Sequence, residues 1–337
     1  MKLLVTGGAG FIGTNFIRHM ITKHPNWKVI NVDKLTYAGN LENLAGLKGC
    51  SNYRFVKGDI ADNSVMEALF RKGIDVVVNF AAESHVDRSI QDAGPFINTN
   101  IAGTFVLLQL ARQYGIQKHI QVSTDEVYGS LQGKNKFTED SSLGPNNPYS
   151  ASKASADLLC RSYYKTYNLP VIITRCSNNY GPYQFPEKLI PLVITNTLEN
   201  ESIPVYGDGL NVRDWIYVAD HCRALEAVIQ GGQPGEVYNI GANNELSNLE
   251  LVKQILELLN KPEELIKFVS DRPGHDRRYA IGWTKIKDSL GWRPAYSFRD
   301  GLEQTIKWYI EHPGWWRRIR SGEYKDYYRK WYKGVRN

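Results

Sequence analysis

The stretch Gly7-Gly8-Ala9-Gly10-Phe11-Ile12-Gly13 constrains the fold more than any other part of the chain. It follows at once on residues 2–6, a short apolar run that reads as a buried strand. A helical pattern through Phe16, Ile17, Met20 and Ile21 comes next. In that setting the glycines at 7, 10 and 13 have separate jobs: a tight turn, close approach of the backbone to a ligand, and close packing of helix on strand. The ligand such a turn suits is a pyrophosphate. The first amides of the helix are free donors, and its N-terminus carries partial positive charge. The next apolar run, residues 28–32, ends in Asp33, an acceptor for an adenosine ribose hydroxyl that would repel a 2′-phosphate. NAD is therefore expected in preference to NADP.

The alternation continues. Residues 53–56 read as a strand ending in Gly58-Asp59-Ile60, where an adenine ring can lie against Ile60 while Asp59 accepts its amino group. Residues 62–70 read as a helix capped by Asp62. Residues 75–80 are nearly all apolar, as in a parallel strand covered on both faces. They lead into Ala81-Ala82-Glu83-Ser84-His85, whose small residues let a cofactor approach the backbone. A helix over 99–114 precedes strands at 118–122 and 171–175. This spacing predicts an α/β fold with a doubly wound parallel sheet of Rossmann type. The sheet domain is expected over residues 1–175. Residues 176–337 are expected to form mainly a smaller substrate-binding domain, with segments that can return to the sheet.

In open α/β sheets, ligands bind at the carboxyl ends of the strands. There, after residues 118–122, the chain places Thr124, Asp125 and Glu126: a hydroxyl and two carboxylates that are costly to bury without partners. They can serve as a hydrogen-bond donor, a general acid and a general base. Alone, they also read as a solvated loop with an Asp cap. In an extended strand Asp125 would point away from its neighbours, so the backbone must leave strand geometry for all three to reach one ligand. Downstream, Tyr149 and Lys153 lie four apart on one face of a helix. A phenol is a poor base, with a reference pKa of about 10. A neighbouring ammonium and a cationic nicotinamide would both favour the phenolate.

Later segments are less regular. Arg213 and Arg272 suit bidentate contact with a diphosphate. Residues 204–207 read as a turn in which Pro204 or Tyr206 can cover a base. Asn248 opens a helix with Leu249, Val252, Ile255 and Leu258 on one side. Residues 315–332, rich in aromatics and cations, read as an amphipathic helix lying over the body or a neighbouring subunit.

Composition excludes several classes. A net charge of +6 on 337 residues, with no clustered motif, argues against nucleic acid as a partner. Cys50, Cys160, Cys176 and Cys222 are far apart, which argues against a zinc site or a disulfide framework and fits a reducing cytoplasm. Met1 and Lys2 run straight into a strand, too short a lead for a signal peptide. No apolar run approaches the ~20 residues of a membrane helix.

Taken together, these motifs resemble the extended short-chain dehydrogenase/reductases and, more closely, the dTDP-glucose 4,6-dehydratase family. The resemblance covers nearly the whole chain. It rests on residues 7–13, on Asp33-Lys34-Leu35-Thr36-Tyr37-Ala38-Gly39-Asn40, and on residues 81–89, 123–129 and 149–153. It rests further on Ser177-Asn178-Asn179-Tyr180-Gly181-Pro182-Tyr183-Gln184, Arg213-Asp214 and Asp271-Arg272-Pro273-Gly274-His275. The resemblance implies that Thr124 binds substrate, Asp125 is the general acid, Glu126 the general base, and Tyr149 with Lys153 the oxidising pair. Toward NAD it adds Phe11, Ile12, Lys34, Leu35, Thr36, Phe80, Ala81, Ala82, Ser84, Thr99 and Asn179. Toward the sugar nucleotide it adds Ser84, Asn178, Glu187, Lys188 and Leu189. Further along it adds Val205, Asn248, Asp271 and His275, and it strengthens Pro204, Tyr206, Arg213 and Arg272.

The activity implied is conversion of dTDP-glucose to its 4-keto-6-deoxy product. The steps are oxidation at carbon 4, loss of water across carbons 5 and 6, and hydride return to carbon 6. A homodimer is also implied. An NAD-dependent sugar-nucleotide 4-epimerase or decarboxylase would share Tyr149 and Lys153 but has no need of Asp125-Glu126. A non-enzymatic NAD-sensing protein would keep the fold and lose the chemistry, yet Tyr149, Lys153 and Glu126 are all present.

Overall fold

The computed structural model describes residues 1–322. Seven parallel strands form its main sheet: β1 (Lys2–Thr6), β2 (Lys28–Asp33), β3 (Tyr53–Lys57), β4 (Val76–Asn79), β5 (Lys118–Thr124), β6 (Val171–Cys176) and β10 (Val237–Ile240), in the order β10-β6-β5-β4-β1-β2-β3. The order reverses direction between β1 and β4, and at that switch point the connecting segments diverge and leave a crevice. Apart from the edge strand β3, which has no fully buried residue, the strands are short and largely buried on both faces. Leu3, Val5, Val76, Val78, Ile120 and Ile172 pack on one side of the sheet, and Leu4, Val77, Val171 and Ile173 on the other.

The helices between the strands follow local rules. Asp62 caps Asn63–Phe70 by accepting the amides of Ser64 and Val65. Asn147 caps Pro148–Tyr167 in a reciprocal bond with Ser150, with Pro148 at the first helical position. The helix expected over 99–114 is α-helical only over Thr104–Tyr114. Residues Ile97–Gly103 form a wider π-helical turn. Inside it Asn100 reaches back to residue 83, accepting from the Glu83 amide at 2.9 Å and donating to the Glu83 carbonyl at 3.1 Å. Wide turns of this kind often re-aim side chains beside functional sites.

Beyond Cys176 the remaining strands are β7 (Asn178–Tyr180), β8 (Ile203–Tyr206), β9 (Val212–Tyr217), β11 (Glu245–Ser247) and β12 (Ile266–Val269). They build a second lobe of two small sheets, β11-β9-β7 and β12-β8. Two local expectations are corrected here. The stretch from Pro204 is not a turn: Pro204, Val205 and Tyr206 are strand residues, paired in parallel with Lys267, Phe268 and Val269. In the helix Asn248–Leu258 the expected Val252 and Ile255 are buried and Leu258 packs against the core, but Leu251 and Leu256 complete the buried stripe, and Leu249 is not part of it. Both lobes share the chain through β10, which returns to the main sheet beside β6.

The first part of the aromatic, basic tail is the helix Pro313–Ser321, with Trp315 and Trp316 buried and Arg317, Arg318 and Arg320 ion-paired to Glu199, Glu42 and Glu201. The rest of the helix expected to residue 332 lies outside the described residues.

Where β5 ends, the chain enters a turn of 3-10 helix, Asp125–Tyr128, that closes on Gly129 at φ +83. A Cβ there would lie 2.2 Å from the Gly144 carbonyl oxygen. Gly129→Ala is therefore expected to lower stability by about 1–3 kcal/mol from backbone strain alone. Urea unfolding measures this, and an unchanged midpoint would show that the turn tolerates a side chain.

Candidate active site

At the switch point, Gly7 leaves β1 at φ +69, and a Cβ on it would sit 2.7 Å from the Ala81 amide nitrogen. A Cβ on Gly13 would lie 2.5 Å from the Gly7 carbonyl oxygen. The turn is thus folded tightly against the end of β4. The helix Phe11–Lys23 starts at Gly10 without a side-chain cap, so its first amides keep their donors for a ligand. Asp33 ends β2 with Oδ2 accepting the Ala9 amide (2.9 Å) and Oδ1 the Leu35 amide (2.8 Å). Burial raises its pKa and these two amides act against the rise.

At the end of β3, Asp59 accepts the Ala61 amide and is ion-paired with Lys34 at 2.6 Å. Any adenine amino group meeting Asp59 would therefore share it with a lysine. Gly10, Phe11, Ile12, Lys34, Thr36, Ile60, Phe80, Ala81, Ala82, Ser84 and Thr99 line the same cleft. Leu35 does not: at φ 58 its side chain turns onto the core beneath. A donor-rich turn, a buried carboxylate at the end of the neighbouring strand β2 and an apolar wall at Ile60 together fit a dinucleotide.

The cleft continues to the end of β5. Thr124 Oγ1 accepts the Glu126 amide at 3.2 Å and donates to Asp125 Oδ1 at 3.3 Å. It is also hydrogen-bonded with Tyr149. On the facing helix, the Tyr149 amide donates to Ser89 Oγ (3.2 Å), and Lys153 Nζ donates to the Val122 carbonyl (2.7 Å). Thr124, Asp125, Glu126, Tyr149 and Lys153 all line one cleft, with Asn178, Asn179, Glu187 and Lys188 across from them. The backbone does leave strand geometry immediately after Thr124, as their convergence requires.

The two carboxyl groups are treated differently. Asp125 is 1% exposed, and its Oδ2 has no hydrogen-bond partner. Burial, then the charges of Glu126 and Asp214, push its pKa well above the carboxylate range, with Arg213 opposing. Burial also raises Glu126, but Arg272, Arg213 and Lys188 all pull it back. Asp125 is thus driven further toward its protonated form than Glu126, whose rise three cations oppose.

Tyr149 departs from expectation. Burial, Glu126 and Cys176 raise the phenol well above its ordinary value, and the Thr124 hydrogen bond opposes them. Lys153 is not among the leading influences. Burial lowers Lys153 itself, opposed first by Asp157. The helix spacing brings Lys153 to the site, but its ammonium is anchored on the β5 backbone.

The remaining sequence-derived residues lie outside this lining. Tyr206 Oη donates to Asp87 Oδ2 (3.2 Å) and Arg272 Nη1 to Asp87 Oδ1 (2.9 Å). His275 Nδ1 meets Asp271 Oδ1 at 2.6 Å. Arg213 bonds the Asp276 carbonyl (3.0 Å) and stacks over Tyr279. Asn248 holds a buried Oδ1 without a partner at the start of its helix. Leu189 and Val205 pack into the second lobe's core, and Pro204 is buried in β8. Glu126 joins the two groups, since Arg213 and Arg272 both act on it. Sequence reasoning gave no role to Asp87, although it lies within the motif at 81–89, and none to Asn100, whose position carries no local signal.

A family model described as GDP-mannose 4,6 dehydratase matches residues 4–305. The chain belongs to that family. Family members include a dTDP-glucose 4,6-dehydratase from Xanthomonas campestris, 51% identical over 96% of this chain and 97% of its own. The crystal structure of a Bacillus anthracis dTDP-glucose 4,6-dehydratase in complex with NAD is 53% identical, with a TM-score of 0.90 over 95% of this chain and 99% of that one. A Streptomyces venezuelae dTDP-glucose 4,6-dehydratase, also solved with NAD, is 51% identical, with a TM-score of 0.93 over 95% and 100%. The doubly wound sheet is the one these dehydratases share.

The buried Asp125 gives a pH signature. Between the ordinary carboxylate value and its raised folded value, the native state holds a proton that the unfolded chain has lost, so stability falls as pH climbs through that window. Asp125→Asn removes that loss. Its melting temperature is expected to exceed the wild type's at pH 7 and to converge with it as pH falls toward about 4. A variant less stable than wild type at pH 7 would mean that Arg213 holds Asp125 ionised.

Proposed function

We propose that this chain converts dTDP-glucose to dTDP-4-keto-6-deoxyglucose, with NAD as a resident cofactor, in the hydro-lyase reaction. The observation that carries this reading is the unequal pair at the end of β5. One carboxyl is pushed strongly toward its neutral form and, in the other, three cations oppose that push, beside a tyrosine in the cleft that opens on the glycine turn. Residues 7–13, Asp33 and the walls at Ile60 and Phe80 would hold NAD, which when bound supplies the acceptor for the carbon 4 hydrogen and returns it to carbon 6.

The chain's own groups do the proton work. Tyr149 takes the 4-hydroxyl proton, with Thr124 hydrogen-bonded beside it. Because burial and Glu126 resist the phenolate, this transfer relies on the cationic cofactor and on the hydrogen bond with Thr124 rather than on Lys153 alone. Once carbon 4 is a ketone, the proton on carbon 5 is acidic, and Glu126 removes it. Protonated Asp125 donates to the leaving 6-hydroxyl, which departs as water, and Glu126 returns its proton to carbon 5 when the hydride is returned to carbon 6. Two carboxyls kept apart in protonation state by their surroundings are what an acid and base pair requires. Arg213 and Arg272 would take the nucleotide diphosphate, and their proximity favours the ionised form of Glu126 against burial. The dTDP preference is supported by the named activities of relatives at about half identity.

Exposed apolar side chains on neighbouring helices, Phe105, Leu158 and Tyr167, offer a face for a second copy of the chain. No described helix is long and apolar enough to cross a membrane. The four cysteines are free thiols, which supports a reducing compartment such as the cytoplasm.

Purified protein given dTDP-glucose is expected to yield a 4-keto-6-deoxy product without net NADH. Formation of UDP-galactose from UDP-glucose, without dehydration, would instead favour an epimerase. Asp125→Asn is expected to slow elimination by about 10²–10⁴-fold, the range of a general acid, while hydride removal from carbon 4 stays near wild type. Equal loss of both steps, read by stopped-flow absorbance of the reduced cofactor, would assign Asp125 to binding. For assembly, the double variant Phe105→Glu, Leu158→Glu is expected to sediment at half the wild-type mass, and an unchanged mass would move the interface elsewhere.

A further inference from the structure

The tail helix contacts the dinucleotide turn through a buried chain of hydrogen bonds. Trp315 Nε1 donates to Asn43 Oδ1 at 2.8 Å. Asn43, 1% exposed, donates from Nδ2 to the Ala9 carbonyl at 3.0 Å, and the Asn40 amide donates to the same oxygen at 3.0 Å. Ala9 is the residue between the glycines of the turn, and its own amide is the donor to Asp33 Oδ2. Ala9 is thus held at its carbonyl by Asn43 and at its amide by the Asp33 carboxylate, so the peptides on both sides of it are fixed. Arg18, on the helix that the turn opens, donates to the Asn43 carbonyl at 2.6 Å from Nη2 and at 3.2 Å from Nε. Outside this chain of bonds, Arg318 pairs with Glu42 next to Asn43.

We propose that Trp315 is a positioning residue for the cofactor: through Asn43 it fixes the Ala9 peptide, and with it the glycine turn and the Asp33 carboxylate, in the conformation that binds the adenosine half of NAD. The inference rests on the NAD reading above. Trp315 itself lies past residues 4–305, the part matched by the family model, so it acts from outside the cofactor domain. It touches neither substrate nor reacting atoms, so it should affect how tightly NAD is held rather than the chemistry once NAD is in place. An Asn43 that loses this donor keeps a buried acceptor without a partner, and a buried unmatched acceptor carries a substantial penalty.

The test uses the full-length protein stripped of NAD and titrated with NAD by calorimetry, together with the NAD retained through gel filtration. Trp315→Phe keeps an aromatic ring and removes the donor. Its dissociation constant for NAD is expected to rise about tenfold, with kcat at saturating NAD near wild type. Asn43→Ala should weaken NAD at least as much, and adding Trp315→Phe to it should have no further effect, because both act through one link. Wild-type NAD affinity in Trp315→Phe, or fully additive losses in the double variant, would overturn the proposal. Failure of the wild type to bind NAD would instead strike the cofactor reading itself.

Discussion

Thr124 Oγ1 accepts the amide of Glu126 at 3.2 Å, and that bond turns an extended chain into a turn of 3-10 helix at the last residue of β5. Without it, alternation along a strand would send Asp125 to the opposite face from Thr124 and Glu126. The same oxygen donates toward Asp125 and is hydrogen-bonded with Tyr149. One hydroxyl therefore ties together the acid, the base and the phenol. Gly129 closes the turn in a conformation that a side chain resists, against the Gly144 carbonyl.

The sheet decides where this turn sits, and the second lobe decides what charge it carries. Parallel strands put the ends of β1, β4, β5 and β6 on one edge, so the glycine turn, residues 80–84, Thr124 and Asn178 face one cleft. Arg213 comes from β9 and Arg272 from the segment after β12, yet both act on Glu126. Asp125 sits deeper, raised by Asp214 as well as Glu126, with Arg213 and the Thr124 hydrogen bond opposing. Burial raises both carboxyls, and the difference between them comes from which cations reach which oxygen.

Much of this was legible in the sequence because it is local. Apolar runs of five or six residues, the glycines at 7, 10 and 13, Asp62 as a cap and the four-residue step from Tyr149 to Lys153 are short-range signals that the fold preserves. Nonlocal facts were harder to read. Pro204-Val205-Tyr206-Gly207 looks like a turn until β12, far along the chain, supplies the pairing partner. The phenol of Tyr149 looked tunable by Lys153, but burial and the acidic groups beside it outweigh a lysine anchored on Val122. His275 was marked by resemblance alone, and nothing near Arg272 in sequence links it to Asp87. Trp315 acquires a role only through Asn43, 272 positions earlier.

The central claim is that the carbon 4 hydrogen leaves the sugar and is returned at carbon 6 after Asp125 and Glu126 have removed water. Incubation of dTDP-glucose deuterated at carbon 4, followed by mass spectrometry and proton NMR of the product, tests it directly. The label is expected on the new methyl group of a sugar lighter by one water. Label retained at carbon 4 of an intact hexose would contradict the account.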